Sequence, residues 1–136
     1  MGAWSHEPFG NDTACDWAYG LDEQRDFSLV AKAIQAVLDN GADYLDSDLA
    51  SEAIAAIEVL AKALGRGTQT DSYTEEVDAW VKSIAAKPSP DLLSKANGAL
   101  TRIMGPDSEL RELWEESDDF GSWESSIKAL QSAVGA

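Results

Sequence analysis

The sequence predicts an all-α protein: a single compact domain, residues 1–136, of six to seven helices arranged as a helical bundle or a short solenoid-like array. Three observations carry that expectation. Apolar residues recur at helical spacing in segment after segment, most clearly Leu49, Ala53, Ile57, Leu60 and Leu64. Capping residues and glycine or proline stops bracket most of these segments. Alternating apolar and polar runs, the mark of a half-buried strand, are almost absent. A chain of 136 residues suits one domain, and folding at this size removes roughly two-thirds of the extended-chain surface from water. An apolar share of 44% supports a core in spite of a net charge of −15.

Taken in order, Asn11 or Asp12 caps a first short helix that reaches about Tyr19, with Gly20 as its stop. Asp26 opens a second, in which Leu29, Ala33, Ile34, Val37 and Leu38 share a face, and Asn40-Gly41 closes it. The third runs from about Ser47 to Leu64 and stops at Gly65. Its stripe is so wide that only Ser51, Glu52, Glu58 and Lys62 remain as a wet edge, which marks it as the central helix. Glu58 and Lys62 are spaced as a favourable i,i+4 pair. Arg66 to Asp71 has no pattern and is expected to be flexible.

Ser72 and Glu75 have capping-box spacing ahead of Val77, Trp80, Val81 and Ile84, and Pro88 ends that helix. Ser89-Pro90-Asp91 opens the next in the order cap, proline, acid. Gly98 in its middle implies a close helix approach or a kink. Gly105-Pro106-Asp107 then separates it from a sixth helix, SELRELWEES, with Leu110, Leu113 and Trp114 facing inward. A last helix carries Trp123, Ile127, Leu130 and Val134 on one side. The five tryptophans are expected to build the core and to lock the N-terminal segment onto the last two helices, through Trp4 or Trp17 against Trp114 or Trp123.

Composition narrows the chemistry. His6 is the only histidine and stands in a polar opening loop, so a nucleophile–base pair has little to draw on. One Cys and one His do not make the usual zinc site, and no metal or other cofactor is expected. Cys15 has no disulfide partner and reads as a small buried apolar residue. Gly65-Arg66-Gly67 is a helix stop and not a phosphate cradle. With 25 acids against 10 bases, nucleic acid is not an expected partner. The longest apolar stretch, 53–64, is interrupted by Glu58 and Lys62 and is too short for a bilayer. The opening at Met1 carries no signal-peptide pattern, so the expected location is cytoplasmic, as a monomer or weak homodimer.

Carboxylates are the abundant chemistry. Asp12 and Asp16 lie one turn apart, as do Glu112 and Glu116. The Asp12–Asp16 pair is expected to be structural, bridged to Arg102 or Arg111 or bonded to the opening segment. A divalent ion, or an acid–base pair for hydrolysis, is the alternative. From Asp107 to Glu124 there are eight acids opposed only by Arg111, and from Asp39 to Glu58 six acids and no base. Glu109, Glu112, Glu116 and Asp119 fall on the side away from Leu110, Leu113 and Trp114. That side is either a solvated face or a docking surface for a basic protein. Three functions stay open: a non-enzymatic, acidic protein-binding domain, in its sharper form an immunity- or antitoxin-like inhibitor of a basic toxin; a structural or adaptor domain; and a carboxylate-based metal-dependent enzyme or sensor.

Three separated segments also carry a resemblance. They are Met1 to Trp4 with Phe9, Asn11, Asp12, Ala14, Asp16 and Trp17; Tyr44 and Leu45 with Ala53 to Ala56 and Glu58; and Ser108 to Glu116 with Trp123. Together they resemble a bacterial family called domain of unknown function 4259, over nearly the whole chain. Family members usually read Gly where Ser5 and Glu7 stand. The resemblance implies a shared fold unit in which Trp4, Phe9, Asn11, Asp12, Asp16, Trp17, Trp114 and Trp123 are signature positions of structural character. It brings no activity and no catalytic residue.

Overall fold

The computed structural model describes residues 5–135; Trp4 lies outside them. Among the described residues there are seven α-helices: α1 (Asp12–Ala18), α2 (Ser28–Asp39), α3 (Ser47–Ala63), α4 (Glu75–Ile84), α5 (Pro90–Met104), α6 (Glu109–Glu115) and α7 (Phe120–Gly135). A 3-10 helix, Tyr19–Glu23, extends α1. No strand is formed among these residues, and Leu45 and Ser108 make an isolated parallel bridge.

The expected central helix is α3. Twelve of its seventeen residues are buried, and α1, α2, α4, α5, α6 and α7 all pack against it. That hub arrangement is a bundle. A solenoid, in which each unit touches only its neighbours, is not what the chain builds. One continuous core draws Phe9, Leu21, Ile34, Ile57, Trp80, Leu100, Trp114 and Ile127 from along the whole chain.

Local signals account for most boundaries. Asn11 caps α1 by accepting from the Ala14 N–H at 2.8 Å, Asp46 caps α3, and Ser89 caps α5 with Pro90 at its first position. Gly41 and Gly65, at φ +61° and +77°, close α2 and α3 in the left-handed region that favours glycine. Trp123, Ile127, Leu130 and Val134 are all buried on α7, and Trp114 stacks on Trp123 with centroids 6.4 Å apart and planes 10° apart.

Several expectations are corrected. Gly20 does not stop the first helix; the backbone tightens there into the 3-10 turn. The capping box at Ser72 and Glu75 is not formed. Asp71 instead accepts from the Tyr73 N–H and Thr74 Oγ1 from the Asp71 N–H, so the helix starts only at Glu75. That helix ends before Pro88, at Ile84, with Ala85 left-handed at φ 49°. Gly98 marks neither crowding nor a break: α5 runs through it, and a methyl group there would meet Leu38 at an ordinary 3.7 Å.

The largest correction concerns the supposed wet edge of α3. Ser51 and Glu58 are buried, Glu58 completely, and the Lys62 side chain is only 5% exposed. A helix packed on nearly every side has no wet edge to offer in its middle. The Glu58 carboxylate turns to the 66–71 loop instead. It accepts from the Thr68 N–H at 2.8 and 3.1 Å, the Thr68 hydroxyl at 2.8 Å and the Gln69 N–H at 2.8 Å. Lys62 sits 3.8 Å from Glu58, pairs with Asp78 of α4 at 2.7 Å and donates to the Gln69 carbonyl. The loop expected to be flexible is therefore pinned at its centre. Gly67 belongs to this knot, since a Cβ there would come within 2.7 Å of Lys62 Cγ.

Candidate functional site

The Glu58 knot fixes more than a loop. Gln69, held through its backbone, accepts the Phe9 N–H on its side-chain oxygen at 2.8 Å and donates to Asp71 at 3.0 Å. The Phe9 carbonyl in turn accepts from the Cys15 thiol of α1 at 3.5 Å. At the other end the Trp80 indole N–H donates to the Gln24 carbonyl at 3.1 Å, and its ring meets Phe27 edge-on at 6.2 Å. These bonds hold α1 and the 3-10 turn at a set spacing from the 71–76 segment.

Between the two lies a groove of about 390 Å³. One wall is Asp12, Cys15, Asp16, Ala18, Tyr19, Leu21 and Asp22; the other is Ser72, Tyr73, Glu75, Glu76, Val77 and Trp80. Five carboxylates thus line it, and no Lys or Arg does. All five are exposed. Burial raises the pKa of the Cys15 thiol most, and the charges of Asp12, Asp16 and Asp71 raise it further. The thiol therefore stays protonated and is a poor nucleophile. Two of the three large exposed apolar side chains among the described residues, Tyr19 at 66% and Tyr73 at 55%, stand on this groove.

Of the partners expected for Asp12 and Asp16, the opening segment Met1–Trp4 lies outside the described residues. Neither candidate arginine reaches the two acids. Arg102 donates to the carbonyls of Gly41, Asp43, Pro106 and Asp107, stitching the α2–α3 turn to the α5–α6 turn. Arg111 pairs with Glu115 at 3.5 Å and donates to the Met104 carbonyl. Phe9 is fully buried, Asn11 is the α1 cap, and Trp17 packs half-buried against the core.

The four acids singled out in and after α6 divide into two kinds. Glu109 is half-buried and accepts the Ser47 N–H at 2.8 Å, at the start of α3. Glu112 is exposed but accepts from the Tyr44 hydroxyl at 2.9 Å, which pushes the Tyr44 pKa up to about 12. Glu116 and Asp119 are exposed where α6 gives way to α7. The N-terminal turn packs close by: Ser5, His6, Glu7 and Pro8 border a cavity of about 40 Å³ with Leu110, Leu113, Trp114 and Trp123. The expected lock through Trp4 falls outside the described residues, and among them Trp114 stacks on Trp123 and not on Trp17. His6 is exposed.

Among the described residues, no three His, Cys, Asp or Glu side chains converge to hold a metal ion, and no helix is long and apolar enough to cross a membrane. Sequence reasoning singled out Asp12 and Asp16 but missed Tyr19, Asp22, Tyr73, Glu75 and Glu76 as their neighbours. The available signal was the pair of tyrosines, each beside acids at the end of a predicted helix. No curated protein and no solved structure matches the chain. A family match covers residues 2–126, and the chain belongs to the family described as Domain of unknown function (DUF4259).

Proposed function

We propose that this domain is an acidic protein-binding module, not an enzyme, and that its partner is a basic protein. The observation that supports the reading is the groove between α1 with its 3-10 extension and α4, where five carboxylates and no lysine or arginine stand among the described residues that line it. A concave surface of one sign attracts a partner of the other. Glu116 and Asp119, together with the rest of the −15 net charge, extend the attraction outward and speed encounter. The specific form of the proposal is an immunity- or antitoxin-like inhibitor of a basic toxin, acting in the cytoplasm. A small helical domain that offers an acidic concave surface suits that role.

The test uses paired baits in the source cell extract: the wild-type domain and an Asp16→Lys/Asp22→Lys/Glu75→Lys variant, all three substitutions being at exposed positions. The expected result is a basic protein held by the wild type, released by the variant, and bound more slowly as salt shortens the reach of the field to about 8 Å at physiological strength. For the inhibitor form, the captured protein is toxic when expressed alone and is neutralised by the wild-type domain only. A neutral or acidic partner, or equal capture by both baits, contradicts the proposal.

A further inference from the structure

Gln69 is buried, and each of its four polar groups is bonded. Its N–H donates to Glu58 of α3 at 2.8 Å, and its carbonyl accepts from Lys62. Its side-chain oxygen accepts the Phe9 N–H at 2.8 Å, and its side-chain nitrogen donates to Asp71 at 3.0 Å. The N-terminal turn held in this way is closed on itself. The Ser5 N–H donates to the Gly10 carbonyl at 3.2 Å, and the Gly10 N–H to the Glu7 carbonyl at 2.9 Å. A Cβ at Gly10 would lie 2.1 Å from Ser5 Oγ and 2.8 Å from the Ser5 carbonyl oxygen, so a side chain there forces the turn apart.

A turn so closed moves as one body, and Phe9 ties that body to the fold through its N–H and its fully buried ring. The turn and the 66–71 loop therefore meet at one buried residue whose backbone belongs to the Glu58 knot. If the loop shifts, the Phe9 N–H loses its acceptor. If Phe9 leaves the core, the Gln69 side chain is left with an unmatched buried oxygen. Each opening makes the other easier, and such coupling is reciprocal. Beyond Gln69 the chain of bonds continues through Asp71 to Thr74, at the start of α4. We infer that residues 5–10 and 66–71 form a single latch, pinned by Glu58, which opens as one unit while α3 stays folded. Through it, a change at the N-terminal turn is felt at the start of α4.

The test is native-state amide exchange of the full chain, read by nuclear magnetic resonance at Phe9, Thr68 and Gln69 and, as the reference for global unfolding, at the buried Val59 and Leu60 of α3. In wild type the first three amides should share one opening equilibrium and exchange ahead of the α3 pair, as a cooperative sub-global unit does. Glu58→Gln leaves Phe9 and its acceptor unaltered, yet should speed all three about tenfold, as weakening of one buried bond implies. Gly10→Ala alters no group of the knot, yet should speed Thr68 and Gln69 as much as Phe9. Circular dichroism checks folding; the variants act from opposite ends, and the wild-type comparison stands if either is perturbed. Three unequal opening equilibria in wild type overturn the inference, as does exchange of all three only at the α3 rate. So does Glu58→Gln speeding Thr68 and Gln69 without Phe9, or Gly10→Ala speeding Phe9 alone.

Discussion

Removing the Glu58 carboxylate should cost the domain far more than a mid-helix glutamate on a wet edge would. In the Glu58→Ala variant the Gln69 N–H, a buried donor, loses its acceptor at about 1–3 kcal/mol. The Thr68 N–H and hydroxyl lose theirs at a more open position. Lys62 keeps Asp78 but loses the other carboxylate of its pair, and breaking a buried pair from one side costs about 3–5 kcal/mol. A net loss of about 3 kcal/mol, or roughly 10 °C in Tm for a domain of this size, is the expectation. Glu58→Gln keeps the shape and one acceptor oxygen and should lose about half as much. The two are separated by urea unfolding, with amide exchange read at Thr68 and Gln69.

The pH dependence has a definite sign. Burial holds the Glu58 carboxyl above its ordinary value near 4.5, against the pull of the Gln69 and Thr68 bonds and Lys62. Folding therefore favours its protonated form. The stability it contributes is full below about pH 4.5 and is lost as pH rises through the folded value. The advantage of wild type over Glu58→Gln should accordingly narrow from acid toward neutral pH. A Glu58→Ala loss under 1 kcal/mol, or unchanged exchange at Thr68 and Gln69, would refute the account of the knot.

Three further outcomes follow from named contacts. Asp16→Ala should change stability by no more than about 0.5 kcal/mol, since Asp16 is exposed and neither Arg102 nor Arg111 is bonded to it; a loss above 1 kcal/mol in urea unfolding would mean it holds a structural bond. Tyr44 should ionise late, at about 12, and ultraviolet titration should lose that late step in Tyr44→Phe and move it earlier in Glu112→Gln. Ala85→Gly should stabilise the domain by about 0.5–1 kcal/mol, because φ 49° strains a side chain by more than glycine's extra unfolded-state freedom costs; an unchanged or lower unfolding midpoint would contradict this.

The helices were legible because their signals are local. Asn11, Ser89-Pro90 and Gly65 act within a turn of where they stand, and the spacing of Trp123, Ile127, Leu130 and Val134 needs only the helix itself. Glu58 was misread for the opposite reason. Whether a glutamate in a wide apolar stripe faces water depends on what covers it, and its covering, Thr68 and Gln69, is set by a tertiary contact. Its i,i+4 lysine made a surface pair look sufficient. The groove was half legible: Asp12 and Asp16 drew notice as a like-charge pair, but Tyr73, Glu75 and Glu76 lie about sixty residues away and are brought beside them by tertiary contacts, the Gln69 and Trp80 bonds among them. Nothing in the spacing of Glu109, Glu112, Glu116 and Asp119 distinguishes Glu109, bonded to Ser47, from Glu116, open to solvent.

The proposal places a basic partner in the groove and not on the surface around α6. Nuclear magnetic resonance of the ¹⁵N-labelled domain titrated with octalysine tests it most directly. The account predicts that the largest amide shifts fall on Asp16, Tyr19, Asp22, Tyr73 and Glu76, with smaller, salt-sensitive shifts at Glu116 and Asp119. Shifts centred on Glu112, Glu116 and Asp119, or spread evenly over every exposed carboxylate, would contradict it.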